Sequence, residues 1–75
     1  MKNDKIPKLS VFDAVALLTD LPSERLVRGQ VGTVVELLDR DALVEFSDDE
    51  GRAYAIARSP IVDLLVLHYE PRVVA

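Results

Sequence analysis

The sequence predicts an all-β fold, a small antiparallel barrel of about five short strands. Three observations carry that expectation. β-Branched residues fill Val31, Thr33, Val34 and Val35, and such side chains suit a pleated, half-buried surface. Between 42 and 47, Ala42, Val44 and Phe46 alternate with Leu43, Glu45 and Ser47, the period of a strand with one face on a core. Short polar runs, Asp39-Arg40-Asp41 and Ser47-Asp48-Asp49-Glu50-Gly51, punctuate these stretches, and connections so short make the flanking strands antiparallel neighbours.

Composition bounds what such a domain can do. The chain has 75 residues, and a single domain of this size buries only roughly 60% of the surface that its unfolded form exposes. With no cysteine, neither disulfides nor a thiolate zinc site add stability. Hydrophobic residues make up 49% and aromatics 5%, so packing falls to Val, Leu, Ile and Ala, and a homodimer would bury the surplus. The net charge of −4 opposes attraction to nucleic acid or to an anionic membrane, since phosphate neutralisation requires clustered Lys and Arg. It suits a basic protein partner or plain solubility. Lys2, Asp4, Lys5, Pro7 and Lys8 leave no apolar signal-peptide core. Asp13 and Asp63 interrupt the apolar runs, well short of the roughly 18 residues that a spanning helix needs. The expected location is cytoplasmic, with no membrane association.

Taken in order, residues 1–8 are expected as a flexible N-terminal tail, 9–71 as the single barrel domain and 72–75 as a C-terminal tail. Within Leu9–Leu18, Val15 and Leu17 alternate with Ala14, Ala16 and Leu18, which favours a strand. Helix stays open there, because Ser10 and Asp13 have capping-box spacing. Thr19–Arg25 reads as a loop in which Pro22 holds Leu21 extended, with Leu21 and Leu26 folding back as anchors. The hairpin follows, entered through Gly29 and Gly32, read as a turn and a bulge that bend the strand. Its first strand is apolar on both faces except at Glu36, which places it centrally in the sheet or wrapped by other elements. Gly51 supplies a positive φ to the second turn. In Arg52–Arg58, Ala53, Ala55 and Ala57 share one face, and Tyr54 and Ile56 the other. A 3₁₀ turn near Ser59–Asp63 then precedes a last strand over Leu64–Tyr69. The expected core is Val15, Leu17, Val34, Val44, Phe46, Ile56 and Val66.

Through Arg28-Gly-Gln-Val-Gly-Thr-Val-Val-Glu36, with Phe12–Leu18 upstream and Leu64–Glu70 downstream, the chain resembles a family of short bacterial proteins named only as a domain of unknown function. The resemblance covers about Leu9 to Pro71. It implies an SH3-like β-barrel and brings no activity or catalytic residues. Members of that family look like the small partners of toxin-type proteins, which implies an antitoxin-like neutraliser. A second, weaker similarity, through Gly29, Gly32, Val34 and Leu37, is to the KOW motif of ribosomal and transcription-elongation proteins. KOW segments that contact RNA are basic, whereas here Glu36, Asp39, Asp41 and Glu45 outnumber Arg28 and Arg40.

Candidate chemistry is sparse, and no enzyme is expected. His68 is the single histidine, with Glu70 on the same face of a strand, but a general base also needs a pocket and a substrate-activating partner. Ser10, Ser23, Ser47 and Ser59 sit at turns or caps, outside any nucleophile elbow. Asp48-Asp49-Glu50 lacks the alternating ligand spacing of a calcium loop, and Gly29-x-x-Gly32 lacks the Lys-Ser/Thr and helix of a phosphate loop. No cofactor or metal is expected, and Gly29, Gly32 and Gly51 are read as structural. Asp39, Asp41, Asp48, Asp49 and Glu50 form the candidate docking surface for a protein partner. The expected function is thus a non-enzymatic protein-interaction module. The alternatives are a KOW-like nucleic-acid-binding barrel and a structural homo-oligomer.

Overall fold

A computed structural model describes residues 8–69 and 71. The tails expected over 1–8 and 72–75 therefore lie outside the described residues, apart from Lys8, as does Glu70. Five strands, β1 (Ala14–Leu17), β2 (Val31–Leu38), β3 (Asp41–Ser47), β4 (Ala53–Pro60) and β5 (Leu64–Val66), form one antiparallel sheet in the order β4-β3-β2-β1-β5. The only helical elements among the described residues are two 3₁₀ turns, Pro22–Glu24 and Ile61–Asp63. β2 is the central strand, with one face on the core and the other, including Val31 and Leu37, exposed.

The core follows from register. One row of paired residues crosses the whole sheet: Val66, Val15, Gly32, Phe46 and Ala55. A second row joins Val34, Val44 and Ala57. Phe46, Val44, Val34 and Val15 are fully buried, and Leu17, Leu26, Ala42, Ala57, Ile61 and Leu64 complete the cluster. Around Phe46 the row sets small residues against a large one, which is how a close-packed interior fills its volume. Phe46 lies between a glycine on one side and an alanine on the other. At Gly32 an added Cβ would come 2.5 Å from Val44 Cγ1, 2.8 Å from the Glu45 carbonyl oxygen and 3.0 Å from Phe46 Cδ2. Gly32 is thus a close-approach site and not a bulge. The bulge sits two residues later, where the β2–β3 register shifts between Val34 and Glu36.

Three expectations are corrected. Ile56 is 55% exposed, because register puts Ala55, Ala57 and Ser59 on the core side beneath Phe46, Val44 and Ala42. Size complementarity outweighs side-chain hydrophobicity there. β4 runs on through Pro60 instead of ending at Arg58, which a strand terminus at the sheet edge tolerates. The last strand stops at Val66, not Tyr69, and the Leu67 N–H donates one further bond to the Ala14 carbonyl at 2.9 Å. Val66 itself is half-buried and packs on the margin of the core.

The connections also have identifiable causes. Leu21 and Leu26 pair as an isolated bridge, and Leu26 is 1% exposed, so the Pro22–Glu24 turn is anchored by the two leucines. The capping-box spacing of Ser10 and Asp13 serves a tight turn and not a helix. Asp13 Oδ2 accepts the Ser10 N–H at 2.9 Å, and the Asp13 N–H donates to the Ser10 carbonyl at 3.1 Å. Phe12 then takes a φ of 77°, which a helix cannot use, and the chain enters β1.

Candidate functional site

The five carboxylates singled out by the sequence fall into two groups at opposite ends of β3. Asp39 lies in the β2–β3 turn and Asp41 opens β3, while Asp48, Asp49 and Glu50 belong to the β3–β4 turn. Asp41 and Asp48 stand at the two ends of the seven-residue β3, and seven steps of strand at about 3.4 Å each keep the groups roughly 20 Å apart. They therefore form no continuous rim. Because Asp41 pairs with Pro60 and Ser47 with Ala53, the two groups stand at the two ends of β4.

Several of these acids already have work within the fold. Asp41 Oδ2 accepts from Arg58 Nε at 2.7 Å. Asp48 Oδ1 accepts the Glu50 and Arg52 N–H groups, each at 2.9 Å, and closes an Asx-type turn in which Gly51 has a φ of 83°. The Arg52 guanidinium reaches Glu50 at 2.7 Å and Asp48 at 3.5 Å. Asp39, at a φ of 60°, and Asp49 are exposed at the turn tips. Asp48→Ala should lower stability by about 1 kcal/mol, the usual worth of a side-chain cap on backbone donors. A melting temperature reduced by about 4–8 °C is the expected reading in a domain this small, and an unchanged one would remove this role.

β4 is one edge of the sheet. The Ile61 N–H donates to the Arg40 carbonyl at 2.9 Å, so Asp41–Pro60 is a non-hydrogen-bonded pair of the antiparallel ladder. By alternation, the backbone groups of Ala55, Ala57 and Ser59 bond to β3. The N–H groups of Ile56 and Arg58, and the carbonyls of Tyr54, Ile56 and Arg58, turn away from the sheet. No described strand pairs with them. The flanking side chains are drawn back across the sheet: Gln30 Nε2 donates to the Tyr54 hydroxyl at 2.8 Å, and Arg58 is held by Asp41. The edge is left open at Ile56, whose cross-strand neighbour on β3 is Glu45.

On the other side of the molecule, Lys8, Ser10, Phe12, Asp13, His68 and Tyr69 line an open cleft of about 520 Å³. The structure thereby gathers a hydroxyl, a carboxylate and an imidazole, which sequence reasoning had treated separately because they lie at the two ends of the chain. The Asp13 carboxylate is engaged by the Ser10 amide, and Ser10 and His68 are exposed. The cleft therefore does not exclude water from these groups. Phe12 and Tyr69, 80% and 85% exposed, flank it. Among the described residues, no three His, Cys, Asp or Glu side chains come together to hold a metal ion, and no helix is long and apolar enough to cross a membrane.

Compared with known proteins, residues 11–60 match the family model described as Domain of unknown function (DUF4926). The match spans β1 to β4 whole, and so includes both acidic turns and the open edge. No curated protein and no solved structure matches the chain.

Proposed function

The chain belongs to this family of unknown function, and from that premise we propose that it is a non-enzymatic protein-binding module that docks an extended segment of a protein partner along the β4 edge. The outward-turned backbone groups of Ile56 and Arg58 carry this reading, since an unpaired edge is a template for strand addition. The carboxylates at both ends of β4 have a supporting role. Asp39, Asp49 and Glu50 would draw a partner with basic residues flanking its strand, chiefly by raising the association rate. The SH3-like description of the barrel belongs to the same reading. It is supported by the 3₁₀ turn at Ile61–Asp63, which carries the chain from one edge strand to the other. So does a cytoplasmic site of action, since a chain with no cysteine needs no oxidising compartment to fold.

The test is capture of partners from the source cell with the wild-type chain, with Ile56→Pro, and with Asp39, Asp49 and Glu50 together changed to Ser. Proline at 56 removes an N–H that faces away from β3 and leaves the internal ladder intact. It should abolish retention, while the triple serine variant should slow association and flatten its salt dependence. Three results would overturn the reading: no protein enriched over a control barrel, retention indifferent to Ile56→Pro, or retention of the chain by immobilised RNA at low salt. The last would favour the KOW-like alternative.

A further inference from the structure

We infer that the strand docked on β4 is β4 of a second copy of this chain, joined antiparallel about a two-fold axis at Ile56; the inference rests on the edge-docking reading above. The pattern of β4 is self-complementary about that residue. Ala55 and Ala57 flank Ile56 symmetrically, and Tyr54 and Arg58 stand two positions to either side. Pairing Ile56 with its own symmetry mate lets each Ile56 N–H donate to the other copy's Ile56 carbonyl. Each Arg58 N–H then meets the other copy's Tyr54 carbonyl, and these are the groups that the sheet turns outward. An isologous contact of this kind closes on itself and leads to a dimer, not a fibre.

Charge permits this register. An edge strand is usually kept single by a charge of its own, but Arg58, the one charged residue of β4, is paired with Asp41 at 2.7 Å, and Glu45, opposite Ile56, stands on β3, one strand in from the joint. About the Ile56 axis each Arg58 lies beside Tyr54 of the other copy, an aromatic–cation pair, while the two arginines stay about 14 Å apart, four residues of strand. The antiparallel arrangement also sends the two Asp48–Glu50 turns to opposite ends of the joint sheet. Each arrives where the other copy carries the Asp39-Arg40 turn, so the most acidic turns do not meet. The outer face next to the joint supplies apolar contact, since Tyr54 and Ile56 are 51% and 55% exposed. The two Ile56 side chains would pack across the axis as a cross-strand pair.

Sedimentation velocity over a concentration series, read together with backbone amide exchange, tests this on the whole chain. A dimer should be populated at about 100 µM, in the weak range that a small interface gives. The Ile56 and Arg58 amides, which face solvent in the monomer, should become protected as concentration rises. Ile56→Lys places like charges directly opposite each other at the axis. Because residue 56 is exposed, this variant should keep the wild-type circular dichroism while sedimenting as a monomer. Ile56→Val, which keeps the register and the apolar pair, should still dimerise. Dimerisation that survives Ile56→Lys, or that protects other amides, would overturn the inference. A chain that is monomeric throughout would overturn it too. If that monomer still retains another protein in an Ile56→Pro-sensitive way, edge docking stands and only the identity of the docked strand is wrong.

Discussion

Phe46→Ala is expected to lower the unfolding free energy by about 3–5 kcal/mol, the range for removing a fully buried aromatic ring. The whole stability of a globular domain is about 0.05–0.15 kcal/mol per residue, so the variant should be largely unfolded under conditions where the wild type is folded. The reason is local and geometric. Phe46 sits in the row that crosses all five strands, between Gly32 and Ala55, and neither neighbour has a side chain that could swing into the space left behind. A urea titration monitored by circular dichroism gives the difference directly. A loss below about 1 kcal/mol would mean that the sheet collapses around the cavity, and that Phe46 is not the centre of the core.

Gly32→Ala should be nearly as damaging, by about 1–3 kcal/mol or more, although it adds only one carbon. Overpacking a filled interior forces side chains and backbone to move, and here the new Cβ meets a backbone carbonyl, that of Glu45, at 2.8 Å, as well as Val44 and Phe46 side-chain atoms. The side-chain part is relievable and the carbonyl part is not. Combining Gly32→Ala with Phe46→Leu should therefore cost less than the sum of the two single changes, yet remain well short of wild type. Residues in contact show such coupling. Simple additivity in the double variant would show that the alanine methyl does not press on residue 46.

Proline and lysine at position 56 act in the opposite regime. Ile56 is exposed, its outward N–H serves no bond within the described sheet, and both substitutions should change association more than folding. Phe46 and Ile56 stand on adjacent strands with similar hydrophobicity, and they separate core from docking edge only by the direction in which each faces.

That separation marks how far the sequence could be read. Alternation in Ala42–Ser47 identified β3 and its buried residues, because a strand with one face in water must place its apolar residues two apart. The turn residues located both hairpins, and Leu21 and Leu26 were recognisable as anchors. The same rule failed on Ala53–Ala57, where both faces are apolar and the pattern does not say which points inward. The docking candidates followed a similar course. The carboxylates were visible as a group in the sequence, but their division between the two ends of β3, and the engagement of Asp41 and Asp48 within the fold, follow from pairing.

By itself the sequence determined the fold class, the approximate strands, the turns and the five large buried side chains of β1 to β3, namely Val15, Leu17, Val34, Val44 and Phe46. These rest on local properties: side-chain branching, a period of two and the conformational needs of turns. Tertiary structure alone decided that Ala55 and Ala57 face inward and Ile56 outward, that Gly32 is a gap for its neighbours, and that β4 is left as an edge. Each of these depends on which residue of another strand lies opposite. A one-residue change of register reverses every side chain of a strand, and register is settled by how volumes fit across the whole sheet.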